Sequence, residues 1–202
     1  ALSARIDDSQ VRLLRAFTTA DGIWRLPVTP DQVSPLYLRM LTAYEDRRFR
    51  RHAGVDSRAV ARAAWQWATS GHVVSGGSTL TMQVARLLEP RPRSLWGKGI
   101  EMLRAYQLEA RYSKDRILAF YLTLAPYGGN LEGVRAASLS WFGKEPRHLT
   151  PGEAALLVAL PQSPEGVRPD RFPDRARAAR DKVLRIMVRR GVLTPHQAKA
   201  AM

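Results

Sequence analysis

Residues 36–54 read "LYLRMLTAYEDRRFRRHAG", and the spacing of their apolar members decides the fold class. After Pro35, the residues Tyr37, Leu38, Leu41 and Tyr44 recur at helical intervals, with no strict alternation of apolar and polar positions. The spacing predicts a helix over about 37–52, ended by Gly54. In such a helix Glu45 stands four residues after Leu41 and four before Phe49, at the border of the apolar face. Partial burial and the neighbouring arginines act on its carboxylate in opposite directions, which leaves an ionised group able to accept a proton. The competing reading makes Glu45 and Asp46 plain surface partners of Arg47, Arg48, Arg50 and Arg51.

Outward from this stretch the pattern stays helical. A second helix is expected over about 57–69, rich in alanine and carrying Trp65 and Trp67, followed by the Gly/Ser loop "SGHVVSGGS" at 70–78. A third spans about 79–88. The proline-broken "EPRPRSLWG" at 89–97 reads as irregular and leads into a helix over about 98–112. "SKDRILAFYLTLA" makes another, with Ser113 as its N-cap. "TPGEAALLVALPQSP" offers Thr150 as cap, Pro151 in the first turn and a proline stop, and a basic helix covers about 173–190. Only "GIWRLPVT" at 22–29 alternates, as an edge strand would. The chain reads as mainly α and as one domain over residues 1–202.

With 202 residues, 45% hydrophobic and 25% charged, the chain is long enough and apolar enough to bury a core. Its 32 Lys and Arg against 18 Asp and Glu give a net charge of +14, which calls for an anionic partner. Nucleic acid, an anionic membrane surface and a phosphorylated substrate all satisfy that demand. There is no cysteine, so disulfides and thiolate metal sites are excluded. The four histidines, His52, His72, His148 and His196, share no helical face, which argues against zinc. The longest apolar runs, "ILAFYLTLA" and "AALLVAL", are too short to span a bilayer. A start at Ala1 without methionine reads as an excised piece whose targeting or anchoring segment lies outside it. Neither Ser-x-x-Lys nor Lys-Thr-Gly occurs, which argues against a penicillin-type serine acyltransferase.

Two further stretches carry chemistry. In "GGSTLTMQVARLL" (76–88), Leu80, Val84, Leu87 and Leu88 form an expected buried stripe, and Thr79, Gln83 and Arg86 a polar one. Gly76, Gly77 and Ser78 precede the helix, so its N-terminus could cradle an anion, or simply be capped. Lys98 and Glu101 are i, i+3 neighbours, with Arg91 and Arg93 just before them. They could hold a pyrophosphate, with Glu101 orienting Lys98 or ligating a divalent ion, or form an ordinary salt bridge.

Taken together, "EDRRFRRHAG", "GGSTLTMQVAR", "GKGIE", "ILAFYLTLAPYGG" and "GVRAASLSWFGK", in this order over about residues 22–199, resemble the five motifs of the glycosyltransferase family 51 domain. That domain is the peptidoglycan polymerase module of class A penicillin-binding proteins and of monofunctional transglycosylases; "TMQ", "DGIWRLPVT" and "APYGGNLEG" are most like its 1C type. Met82 departs from the family's glutamine, Gly97 from its arginine and Thr123 from its asparagine, and Arg91 or Arg93 would replace the missing cation.

The resemblance implies a lysozyme-like helical head with a smaller membrane-dipping jaw subdomain. The jaw is expected at about 55–76, where Trp65 and Trp67 either meet the membrane interface or pack in the core. It implies polymerisation of lipid II into β-1,4-linked glycan strands, with inversion at the donor sugar and release of undecaprenyl pyrophosphate. Glu45 would be the catalytic base and Glu101 the second catalytic acid. Asp46, Phe49 and His52 would shape the acceptor end, with Ser78, Thr79, Gln83, Arg86, Arg93 and Lys98 around the donor pyrophosphate. No cofactor is required on this reading, although Mg2+ or Mn2+ could sit near Glu101. The implied partners are lipid II, the nascent glycan strand, the bacterial inner membrane at its periplasmic face and moenomycin-type inhibitors, but no nucleic acid. A domain that binds lipid II without turning it over is the nearest alternative, and a basic nucleic-acid-binding protein a more distant one.

Overall fold

The computed structural model describes residues 1–7, 13–70, 77–92 and 94–202. In chain order its elements are β1 (Arg5–Asp7), β2 (Leu13–Ala16), β3 (Trp24–Arg25), α1 (Pro35–Glu45), α2 (Ser57–Ser70), α3 (Leu80–Leu88), α4 (Leu95–Arg111) and α5 (Lys114–Leu124). There follow β4 (Leu131–Glu132), α6 (Val134–Phe142), α7 (Pro151–Ala159), α8 (Pro173–Arg189) and α9 (Pro195–Ala200). The class is mainly α, as the periodicity predicts. Two compact units emerge: one holds Ala1–Tyr44 and Leu122–Met202, the other Glu45–Tyr121.

In the discontinuous unit, α7 packs along α8, and α9 against both. Leu157 and Val158 of α7 and Val183, Leu184 and Met187 of α8 are fully buried, each such side chain contributing about 1.5–3 kcal/mol of apolar transfer. Thr150 and Glu153 close a reciprocal capping box on α7, with Pro151 in its first turn. Tyr37 and Tyr127 share a buried hydroxyl hydrogen bond of 2.8 Å. The expected edge strand is short: β3 pairs in parallel with β4, Trp24 opposite Leu131. Thr123, at the position of the family's asparagine, accepts a hydrogen bond from the Val28 N–H at 3.4 Å.

In the continuous unit, α3 packs on α4. Met82 is buried with Val55 and Ala105, and Val60 and Met102 close over them. The α3–α4 layer leaves no room for side chains at two glycines. At Gly54, with φ +101°, a Cβ would lie 2.7 Å from the Ala105 backbone; at Gly97 it would lie 2.6 Å from the Pro92 carbonyl oxygen.

Several expectations shift. The helix predicted over 37–52 stops at Glu45, and Phe49–Arg51 form a separate 3-10 turn. The cause is Asp46, which leaves the helix to accept the Leu80 N–H at 3.0 Å from inside the unit. The buried set of α3 is Leu80, Thr81, Met82, Val84 and Ala85, whereas Leu88 is half exposed. α4 begins at Leu95, three residues early, because the Ser94 hydroxyl accepts from the Gly97 N–H. Trp65 on α2 is 71% exposed, which excludes core packing for it. The Trp67 side chain and His72 lie outside what is described. Residues 55–76 fall within the continuous unit, 71–76 of them outside the described residues. Among the described residues no helix is long and apolar enough to cross a membrane.

Candidate active site

The chemistry-bearing residues of the first three motifs all belong to the continuous unit. Glu45 is the last residue of α1 and is half-buried. Gln83, one turn into α3, donates from Nε2 to Glu45 Oε2 at 2.9 Å and so fixes the carboxylate's orientation. Gln83 of the expected polar stripe thus meets the acid that the first motif supplies, whereas Thr79 of that stripe is buried.

Asp46, beside it, is turned inward. Besides the Leu80 N–H, it accepts from His52 Nε2 at 2.9 Å, with the Asp46 and His52 side chains 3% and 5% exposed. The His52 tautomer follows from its other nitrogen. Nδ1 accepts the Gly54 N–H at 3.2 Å, so the ring proton resides on Nε2 and points at Asp46. Phe49 is buried beneath, edge-on to His52. These three residues pack together in the segment that directly follows Glu45.

The N-terminus of α3 is capped from within. Thr79 Oγ1 accepts the Met82 N–H and donates to the Gly54 carbonyl, and Asp46 takes the Leu80 N–H. Backbone donors used in this way are not free for an anion. Lys98 Nζ donates to Ser78 Oγ and to Glu101 Oε2, both at 2.7 Å. Glu101 thereby orients Lys98 through one of its carboxylate oxygens. Among the described residues, no group of three or more acidic or histidine side chains gathers as a metal ion needs. Arg86 is half-buried, and no acid among the described residues pairs with it.

Arg91, one candidate to replace the cation missing at position 97, pairs with Glu89, which also holds Arg104 at 3.0 Å. Arg93, the other, lies outside the described residues.

Two residues of this unit escaped sequence reasoning. Glu109 and Lys114 form an ion pair of 2.6 Å, with side chains 9% and 18% exposed. A signal existed: Lys114 occupies the first turn of α5, where the helix dipole disfavours a cation that lacks a partner.

Residues 11–188 match the family model for transglycosylase, and the chain belongs to that family. It is 56% identical over 183 residues to penicillin-binding protein 1C of Escherichia coli (strain K12), covering 91% of this chain and 24% of that protein. Penicillin-binding protein 1A of the same organism is 40% identical over 175 residues, covering 86% of this chain and 20% of that one. The crystal structure of penicillin-binding protein 1A from Haemophilus influenzae shares the fold, with a TM-score of 0.54 at 19% identity, over 100% of this chain and 20% of that one. The chain spans about a quarter of the length of the first of these relatives.

Proposed function

We propose that this transglycosylase domain is a peptidoglycan glycosyltransferase that joins lipid II units into β-1,4-linked glycan strands, inverting the donor sugar and releasing undecaprenyl pyrophosphate. The observation that carries the reading is the carboxylate of Glu45, half-buried at the end of α1 and oriented by Gln83. An inverting transfer needs one base, and Glu45 takes the proton from the acceptor 4-hydroxyl as that oxygen attacks the donor C1. The C1–O bond to pyrophosphate breaks in the same step. The departing anion requires positive charge more than a proton, which Lys98 and Arg86 supply, with Ser78 and Glu101 holding Lys98 in place. Asp46, Phe49 and His52 keep the segment after Glu45 in one conformation.

The same reading places the domain at the periplasmic face of the bacterial inner membrane, where lipid II and the growing strand are presented. The exposed Trp65, Leu95 and Trp96 of the continuous unit suit an apolar interface, and residues 55–76 are the candidate jaw. Moenomycin-type inhibitors would compete at the donor site.

The test is polymerisation of lipid II in detergent with a divalent metal present, comparing the wild type with Glu45→Gln. We expect glycan chains from the wild type and a loss on the order of 10²–10⁴-fold in the variant. Equal polymer from both would remove Glu45 from the role of base. No polymer from either, with lipid II still bound, would make this a binding domain.

A further inference from the structure

We infer that the half-buried Glu109–Lys114 pair is a positioning element for the Glu45 carboxylate, acting on it through two separate arms. The inference rests on the assignment of Glu45 as the base, and it adds residues that the motifs of the catalytic segment do not contain.

The first arm starts at the ammonium. Lys114 Nζ donates to the His52 carbonyl oxygen at 2.6 Å and stands 4.7 Å from the centre of the Phe49 ring. His52 in turn donates to Asp46, the residue next to Glu45. One cation therefore pins the 3-10 turn that follows the base. The second arm starts at the carboxylate. Glu109 Oε1 accepts from Thr81 Oγ1 at 2.6 Å. Thr81 is fully buried in the first turn of α3, two residues before the Gln83 that donates to Glu45. One carboxylate oxygen thus receives both Lys114 and Thr81, and the pair ties α3, α4, α5 and the 46–54 segment together at a single point.

The chemistry explains why a charged pair occupies this place. Withdrawing an ammonium and a carboxylate from water is costly, and apolar residues of similar volume often stabilise a fold equally well. What apolar residues cannot do is direct three donor bonds at once, one of them onto a backbone carbonyl in a short irregular segment. α1 ends at Glu45, and beyond it a short 3-10 turn, with Phe49 N–H on the Asp46 carbonyl and Arg51 N–H on the Arg48 carbonyl, is anchored to the rest of the unit by side chains. The pair contacts neither Glu45 nor the reacting groups, so its loss should lower turnover while leaving substrate affinity nearly unchanged.

The test uses the full chain and three variants: Lys114→Met with Glu109→Gln, which removes both charges without leaving one stranded; Lys114→Arg, which keeps the charge; and Asp174→Asn, which breaks the exposed Arg177–Asp174 pair as a control. Lipid II polymerisation should show kcat reduced on the order of 10–100-fold in the double variant with KM within about two-fold, partial rescue in Lys114→Arg, and no change in the control. Nitrogen-resolved NMR of the imidazoles should show the His52 Nε2–H resonance shifted or broadened in the double variant. Unchanged kcat together with an unchanged His52 signal would overturn the inference. A wild type that makes no polymer would count against the proposed function, and the His52 signal alone would then decide whether the pair positions this segment.

Discussion

Met82 and Gly97 each replace a family residue, and each is accounted for by its immediate surroundings. Met82 is fully buried and packed among the apolar side chains Val55, Ala105 and Met102. Met82→Gln should cost about 1–3 kcal/mol, seen as a lower denaturant midpoint. Gly97 faces the Pro92 carbonyl so closely that any Cβ displaces the 89–94 segment. Restoring the family's arginine as Gly97→Arg should therefore lower the melting temperature without raising polymerisation. Asp46→Asn leaves one oxygen where the carboxylate serves both the Leu80 N–H and His52, and turns an amide donor toward a donor; about 1–3 kcal/mol should be lost in denaturant unfolding. At this scale the identities of Glu45, Gln83, Lys98 and Glu101 were legible, because five ordered motifs named them. What the motifs did not disclose was direction. Thr79 and Asp46 look like ligand-binding groups in the sequence, and in the fold both make hydrogen bonds within their own unit. Glu109 and Lys114 were missed because a pair five residues apart crosses a helix boundary, where simple periodicity has no rule.

Among the elements, the capped helices were the legible ones. α7 was read from Thr150, Pro151 and a proline stop, and its capping box makes a measurable prediction. Thr150→Ala should cost about 1 kcal/mol. Burial works to raise the Glu153 pKa, but hydrogen bonds from Lys144 and from Thr150 outweigh it, and the carboxyl is held below the ordinary glutamate range. A group depressed in the folded state contributes stability that is complete above its unfolded pKa, about 4.3, and is lost as pH falls through the lower folded value. Thermal midpoints of the wild type should accordingly converge on those of Glu153→Gln as pH is lowered below about 4. The end of α1 was not legible, since no glycine or proline marks it. Helix propensity favours continuing through "RRFRR"; a long-range hydrogen bond from the Leu80 N–H of α3 to Asp46 overrides it. The pairing of β3 with β4 was equally hidden, as two-residue strands leave almost no periodic signal.

For the molecule as a whole, the charge of +14 and the exposed Trp65 and Trp96 predict attachment to vesicles containing anionic phospholipid, read as a blue shift of tryptophan emission. Binding should weaken as salt rises, since exposed charges are screened over about 8 Å at 0.15 M. Binding that ignored both lipid charge and salt would assign the net charge to another partner. The division into units was beyond the reach of sequence reading, because one unit is interrupted by the other and no linker composition marks the joins at 44–45 and 121–122. That interruption has a consequence during synthesis. Arg25 and Glu132, side-chain partners on β3 and β4, are 107 residues apart in the chain. At roughly 5–20 residues per second a ribosome separates their appearance by on the order of 5–20 s. The inserted unit is complete within that interval, so the segment bearing Glu45 can fold first, while β3 waits for β4, the partner that closes its own unit.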